Sequence, residues 1–529
     1  MEIVIDTLLA GLPARLNEIV RGWAERTPEA PALKEGSRWW CYRELHTAVE
    51  SAAAWLAAIG LGPGDRVMLV GENSMAQVAL IFAAAAADVW MVNVNARLSG
   101  HEIEVIRRHC AARRVIYLNA NSTDAENHAL HAAAEPRTLD YLGELMLSEL
   151  NPDDALDGEP QPCAASNAIP VAALVYTTGT TGAPKGVMLT HRNLLFIAAV
   201  SSALRGLTPD DRVYGVLPIS HVYGLASIML GTLYAGACLH LAPRYTPQAL
   251  VYALQHDGIT VLQGVPAMYA RLLEWLKQGG TLCPQRPRFI YAGGSPLDPT
   301  LKSAVEQLFG QPLHNGYGMT ESSPTISQTR LDAPRADTSV GQIIPGVAIR
   351  IVDREAHDVP PGEVGELWVC GPNVTPGYYA DPELTARTLM PGGWLNTGDL
   401  ARQEPDGALF IVGRTKELII HSGFNVYPVE VEAALNSHPA VTQSAVVGRQ
   451  VADGNEEVLA FVELAAGYAV DAAELRTYLA DLLAPYKCPS EIVILAALPA
   501  AATGKILKGR LKQQAQWDYA ASRLPGSTG

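Results

Sequence analysis

Residues 67–118 read VMLVGENSMAQVALIFAAAAADVWMVNVNARLSGHEIEVIRRHCAARRVIYL, and this stretch decides the fold class. The short apolar runs 67–70, 91–94 and 115–118 are of strand length. Between them, 75–87 and 102–110 carry helical patterns. Strands regularly separated by helices imply a parallel sheet covered by helices, an α/β architecture. Upstream, 42–58 reads as a further helix that ends in Gly60-Leu61-Gly62-Pro63-Gly64. That glycine cluster follows a helix and precedes a strand, the reverse of a dinucleotide fingerprint, so it reads as a turn.

Downstream, residues 151–168 are rich in Pro, Asp and Ala and read as a surface connection. From about Gly362 the pattern changes to short strands at 365–370, 377–379 and 408–412, a small β region. After Gly413 helix and strand alternate again, with helices over 430–436 and 472–483 and strands over 440–448 and 458–464. The expected organisation is a large N-terminal domain of helix-covered sheets, residues 1–413, with the small β region at about 350–413. A smaller, mobile α+β C-terminal domain, 414–529, follows. There are no internal repeats.

Composition narrows the function class. Of 529 residues, 48% are hydrophobic and 18% charged, enough apolar surface for a large core and too much for a disordered chain. With 39 basic against 54 acidic residues the formal net charge is −15, which argues against a nucleic-acid partner. The seven cysteines (Cys41, Cys110, Cys163, Cys238, Cys283, Cys370, Cys488) are scattered without a CxxC pair, which fits a reducing compartment. Glu2 and Asp6 are unlike the basic start of a signal peptide. Residues 223–242 are long and apolar enough to weigh as a membrane span. Gly224, Gly231 and Gly236 interrupt them, so they read as a buried helix plus strand. The expectation is a cytoplasmic protein without a transmembrane span; a homodimer is left open.

Residues 176–187, YTTGTTGAPKGV, carry the most chemistry. Glycines and hydroxyls packed this densely let backbone N–H groups and Thr side chains wrap phosphate oxygens, and Lys185 adds a fixed charge. The Lys is followed by Gly186 rather than Ser or Thr, so this is not a Walker A loop.

This stretch resembles the phosphate loop of the adenylate-forming superfamily, which contains acyl-CoA synthetases, non-ribosomal peptide adenylation domains and firefly luciferases. Further motifs follow in that family's order and span nearly the whole chain, from about Trp23 to Leu511. The resemblance implies that Thr177, Thr178, Gly179, Thr180, Thr181, Gly182 and Lys185 hold the phosphates of ATP. LPISHVYGL at 217–225 resembles the floor of the acyl pocket, where His221 would orient the substrate. AGGSPL at 292–297 resembles the turn against adenine, formed here by Gly294, Ser295 and Pro296.

NGYGMTES at 315–322 resembles the motif in which an aromatic lies near adenine, a Thr bonds the α-phosphate and a Glu holds Mg²⁺. Those roles pass to Tyr317, Thr320 and Glu321, with Asn315, Gly316 and Gly318 around them and Thr177 as a second metal ligand. A hard cation does prefer carboxylate and phosphate oxygens. WLNTGDL at 394–400 places Asp399 as the ribose anchor, since one carboxylate accepts two hydroxyls. GRTKEL at 413–418 and GFNVYPVE at 423–430 resemble the inter-domain hinge and the loop after it. Arg414 would touch ribose, Lys416 would sit at the hinge, and Gly423 would line the pantetheine path. LPAAATGKIL at 498–507 resembles the C-terminal lysine motif, which makes Lys505 the catalytic cation; Lys508, Arg510 and Lys512 after it read as a solvated helix face.

The implied activity is an ATP-dependent acid–CoA ligase, most like 4-coumarate:CoA ligases and medium-chain fatty acyl-CoA synthetases, with Mg²⁺ and coenzyme A. Adenylation comes first, thioester formation second, and rotation of the C-terminal domain separates them. Malonyl-CoA synthetases carry an Arg where this chain has Gly316, so a hydrophobic monocarboxylic acid is expected, walled by His221, Tyr223, Ser227, Gly293, Gly316 and Pro324. Arg244 falls where plant ligases place a Lys near the CoA phosphates. Ile420 and Ser422 replace two lysines of the plant enzymes on the CoA side, and Thr178 replaces a Ser. Loading of a carrier protein, a dicarboxylate (malonyl-type) synthetase, a luciferase-like oxygenation and an inactive nucleotide-binding regulator are the rival outcomes.

Overall fold

The computed structural model describes residues 3–151, 170–178, 184–282, 285–421, 424–451, 455–465, 467–500 and 506–522. Two sheets carry most of the chain. One runs Glu135–Leu139, Gly143–Leu147, Arg114–Tyr117, Arg66–Gly71, Trp90–Asn95, Val171–Thr178, Pro184–Thr190 in spatial order. Its three central strands, the runs on which the fold class was decided, are parallel, with Val67 opposite Met91 and Arg114. The other sheet runs Gln342–Ile343, Thr325–Gln328, Leu313–Gly318, Phe289–Ala292, Val261–Gly264, Arg212–Gly215, Cys238–Leu241, Pro31–Glu35, Arg38–Cys41.

The helices Met75–Ala86 and His191–Leu204 show why the two sheets stay together. Both are apolar around most of their circumference and largely buried, with Arg192 the exposed polar exception at the start of the second. A helix without a polar face needs partners all round, and the main core joins side chains of both sheets, such as Leu69 and Leu239, to these helices. The amphipathic helices lie outside. Gly100–His109 starts with a capping box between Ser99 and Glu102. Helix Tyr42–Ala58 has the bounds its sequence predicts, and Gly60 and Gly64 after it adopt positive φ as turn residues.

The β region is a separate antiparallel sheet of Ala348–Val352, Gly365–Cys370, Trp394–Gln403, Leu389–Met390 and Leu409–Arg414. Residues 377–379, expected there as a strand, do not join it. Gly377 takes φ 144°, where a Cβ would meet Thr385 at 2.6 Å, and the segment turns back on Pro184–Thr190. The C-terminal part has its own core and a three-stranded sheet of Val441–Gln450, Glu456–Leu464 and Glu491–Leu495. Helices Pro428–Asn436, Ala472–Ala480 and Lys508–Ser522 accompany it.

The long apolar stretch forms π-helical turns over Tyr223–Leu230, a short α-helix over Gly231–Tyr234 and the strand Cys238–Leu241. Gly224 is obligatory, since a Cβ would fall 2.2 Å from the Pro218 carbonyl oxygen. Among the described residues no helix is long and apolar enough to cross a membrane. The surface connection expected from 152 onward lies outside the described residues.

Two core histidines set a pH window for stability. His191 accepts from the Leu16 N–H at 3.3 Å, and His314 pairs with the Thr329 hydroxyl at 3.1 Å. Burial lowers both to about 4, helped by the nearby cations Arg15 and Lys302. Between about 6.5 and 4 the unfolded chain therefore binds more protons than the folded one. The contribution is complete above about 6.5 and is lost as pH falls towards 4. Thermal unfolding profiles should show Tm declining over that window, less steeply in His191→Gln. A Tm unchanged between pH 7 and 4.5 would refute it.

Candidate active site

The strand Leu313–Gly318 reverses through the 3₁₀ turn Thr320–Ser322 into Thr325–Gln328. The reversal is tight. A Cβ on Gly318 would sit 1.9 Å from the Pro324 carbonyl oxygen, so only glycine fits. Thr320 and Glu321 are thereby held in a buried turn. Glu321 Oε1 accepts a hydrogen bond from the Tyr378 hydroxyl at 2.7 Å, and its carbonyl accepts from the Thr375 N–H at 2.9 Å. The Thr375 hydroxyl in turn donates to the Met188 and Gly377 carbonyls, while Tyr378 pairs with Val187. Residues 373–379 thus strap Glu321 to the strand that begins with Pro184 and Lys185. Burial, and next the Glu321 carboxylate, push the Tyr378 phenol well above its ordinary range, so it remains a donor.

Thr177 and Lys185 face each other in register at the mouth of a hairpin, with Thr178 and Pro184 as the next pair. Gly179, Thr180, Thr181 and Gly182 lie outside the described residues. Behind the hairpin, Tyr176 packs on Gly186, and its hydroxyl meets His109 Nδ1 at 2.7 Å.

Asp399 is 3% exposed on the strand Trp394–Gln403, directly across from Arg414. Its Oδ1 lies 3.0 Å from Arg414 Nε, and its Oδ2 accepts from the Tyr317 hydroxyl. Burial and the Asp399 charge raise the Tyr317 phenol well above its usual range. For Arg414, burial favours loss of the proton, but Asp399 and Glu417 outweigh it and the guanidinium is held charged. Three residues from three distant motifs therefore meet at one carboxylate. Lys416 follows in a turn closed by Glu417 and Leu418 N–H groups on the Arg414 carbonyl. Asn315 is a scaffold: its amide donates to the Thr338 and Ser339 carbonyls and accepts from the Gly316 N–H.

In the 217–225 segment, the half-buried His221 accepts from the Tyr223 N–H at 3.3 Å, and Ser227 just beyond it hydrogen-bonds Thr325. Gly294 has φ +84°, which opens the turn to Ser295 and Pro296. Gly293 lies between the Tyr291 and Tyr223 rings, where a Cβ would be 3.2 and 3.3 Å from them. Pro324 closes the turn beside Gly318.

Gly423 and Lys505 lie outside the described residues; Ala500 and Ile506, which flank Lys505, pair with each other. The solvated-face reading of Lys508 is corrected. Its ammonium lies 2.7 Å from Glu432 and 3.3 Å from Glu417, because the last helix begins against the turn that follows Arg414 and the helix Pro428–Asn436. Arg244 is held by Glu72 at 2.9 Å and Asp124 at 2.6 Å, so two carboxylates already share its charge.

Thr375, Tyr378, Tyr291 and Arg205 belong to this region and escaped sequence reading. For Tyr378 the signal was there, a Gly-Tyr-Tyr run, but it reads as a strand. Among the described residues no three His, Cys, Asp or Glu side chains gather as a metal site. Glu321 stands as a single carboxylate. That suits Mg²⁺, which takes one or two carboxylates and completes its shell with phosphate oxygens and water.

Comparison with known proteins identifies the family. Residues 20–379 match the AMP-binding enzyme family and 430–505 the AMP-binding enzyme C-terminal domain. A feruloyl-CoA synthase from an Amycolatopsis species is 34% identical over 497 residues, 93% of this chain and 97% of that one. ATP-bound MatB from Rhodopseudomonas palustris superposes with a TM-score of 0.82 at 28% identity, covering 96% of this chain and all of the other. O-succinylbenzoate coenzyme A synthetase from Bacillus subtilis, in complex with ATP and magnesium ion, gives 0.78 at 29% identity, over 93% and 99% of the chains.

Proposed function

The chain belongs to the AMP-binding enzyme family, and from that premise we propose that it joins a hydrophobic monocarboxylic acid, aryl or medium-chain, to coenzyme A. The observation that carries this reading is the convergence of Tyr317, Asp399 and Arg414 beside the strapped Glu321 turn. Domains meeting near Arg414 and a reducing, cytoplasmic setting belong to the same proposal; the five described cysteines are all free thiols.

Two displacements make up the reaction. The acid's oxygen attacks the α-phosphorus of ATP, the bond to pyrophosphate breaks, and an acyl-adenylate forms. The CoA sulfur then attacks the acyl carbon, the bond to AMP breaks, and the thiol proton passes to water. In the first step Asp399 accepts the ribose hydroxyls, exchanging its present contacts with Tyr317 and Arg414 for them. Thr177, Thr320 and Lys185 hold phosphate oxygens, and Lys505 adds positive charge where the transition state is most negative. Mg²⁺, held by Glu321 when bound, neutralises phosphate charge. His221 and the glycines 293 and 316 orient the acyl group.

Relatedness to MatB brings in the dicarboxylate alternative, and one observation weighs against its clamp. A Cβ on Gly316 would fall 1.8 Å from the Tyr291 hydroxyl and 2.7 Å from the Ser327 carbonyl oxygen, so no arginine can project from that position.

Pyrophosphate release from ATP and Mg²⁺, measured across aryl and C2–C16 acids with and without CoA, tests the proposal. Multiple turnover that needs CoA and one class of acid is expected. Release that stops near one equivalent with CoA present indicates a carrier-protein acceptor. No release with any acid would overturn the reading.

A further inference from the structure

The hairpin that sets Thr177 opposite Lys185 gets little support from its own sheet. Strand Val171–Thr178 is in register with Trp90–Asn95 at only two pairs, Ala173 with Met91 and Leu174 with Val92. Past Leu174, among the described residues, it pairs only with the strand that begins at Pro184, as Val175–Val187, Tyr176–Gly186, Thr177–Lys185 and Thr178–Pro184. A two-stranded ribbon is marginal in water without further partners. The end that would meet phosphate therefore depends on what grips it from outside the sheet.

Two contacts supply that grip, and both fall at the Tyr176–Gly186 pair. The Gly186 carbonyl accepts from the Tyr379 N–H at 2.8 Å. The Tyr176 hydroxyl meets Nδ1 of His109, the last residue of the helix Gly100–His109, at 2.7 Å. Gly186 leaves the Tyr176 ring its place, since a Cβ there would be 3.2 Å from the ring carbon that bears the hydroxyl. The half-buried His109 ring also faces both tyrosines edge-on, 5.6 Å from Tyr176 and 5.9 Å from Tyr379 between centroids. Tyr379 adjoins Tyr378, which holds Glu321. One imidazole thus bridges the phosphate ribbon and the strap of the Glu321 turn.

Burial fixes the direction of the bond. It pushes the Tyr176 phenol well above its ordinary range, so the hydroxyl keeps its proton and donates. It also lowers His109, against the opposing pull of Asp381, and so favours the neutral ring whose Nδ1 accepts.

We infer that His109 is a positioning residue for adenylation: through Tyr176 and Tyr379 it fixes the ribbon end, and with it Thr177 and Lys185, relative to Glu321. The inference rests on the acid–CoA ligase reading and goes beyond it, because His109 belongs to none of the motifs behind that reading. Once pyrophosphate has left, the ribbon has no β- or γ-phosphate to hold, so the role is confined to the first half-reaction.

The test compares wild type with His109→Phe, which keeps a ring but loses the acceptor, and His109→Asn, whose amide oxygen stands where Nδ1 stood. Tyr176→Phe and the double variant His109→Phe/Tyr176→Phe complete a cycle. In acid-dependent pyrophosphate release, kcat/KM for ATP should fall about tenfold in His109→Phe and in Tyr176→Phe, the scale for a buried polar group left without its partner. The double variant should lose no more than either single one, since both remove the same bond. His109→Asn should stay within about threefold of wild type. All four should form thioester from preformed acyl-adenylate and CoA at close to the wild-type rate. Tyr176→Phe removes a single hydroxyl and decides the matter if His109→Phe does not fold. An unchanged kcat/KM for ATP in the variants that fold, multiplied losses in the double variant, His109→Asn no better than His109→Phe, or equal loss of both half-reactions overturns the inference. Absence of pyrophosphate release from wild type with every acid overturns the ligase reading, and the inference falls with it.

Discussion

Glu321→Gln should lower acid-dependent pyrophosphate release by about 10²–10³-fold, the usual loss when one electrostatic stabiliser of a charged transition state is removed. The substitution is nearly isosteric. A Gln oxygen can still accept from the Tyr378 hydroxyl, and the Thr375 contact is to the main chain, so the strap to Val187 and Met188 persists. What disappears is the carboxylate charge, and with it the proposed ligand for Mg²⁺. The apparent Mg²⁺ requirement should therefore rise, while unfolding remains near wild type. Tyr378→Phe separates holding from binding. It keeps the charge but loses a hydrogen bond to it, so a fall of about tenfold is expected, a charged-acceptor bond being worth roughly 1.5–3 kcal/mol. Glu321→Gln turning over like wild type at equal Mg²⁺ would remove Glu321 from the metal role.

The difference between these two residues shows what a sequence can and cannot disclose. Glu321 lies within a contiguous motif whose backbone reversal demands Gly318, so local chemistry and local geometry point the same way. Tyr378 reaches it from 57 positions away along the chain, through a backbone segment that pairs with a strand of another sheet. No local period encodes that. The alternation of strands and helices over residues 67–118 was legible for the opposite reason, since parallel pairing leaves each strand apolar on both faces. Arg205 is harder still. A cation at a helix C-terminus ordinarily reads as a favourable dipole partner in water. Only the packed structure shows it buried over the Tyr291 ring. The conflict between Lys508 as a surface charge and Lys508 as a buried tie has the same source: Glu417 and Glu432 are distant in sequence and adjacent in space.

That tie bears on how one small domain could serve two half-reactions. Lys505 precedes Lys508 by three positions, and Lys508 holds the start of the last helix against Glu417, next to Lys416, the proposed pivot. Under the proposed two-step reading, a rotation about Lys416 would carry the last helix along with the C-terminal sheet, a gating motion. Lys505→Ala should reduce adenylation by about 10²-fold or more, the scale for losing a cation aimed at developing charge. The same protein, supplied with preformed acyl-adenylate and CoA, should make thioester at close to the wild-type rate. Gly423→Trp should do the reverse, sparing the first release of pyrophosphate and blocking thioester formation. The pair is informative because each variant controls for the other's stability: a misfolded C-terminal unit loses both activities. Equal loss of both half-reactions in a Lys505→Ala protein that unfolds at the wild-type temperature would remove Lys505 from the adenylation step and the rotation from the mechanism.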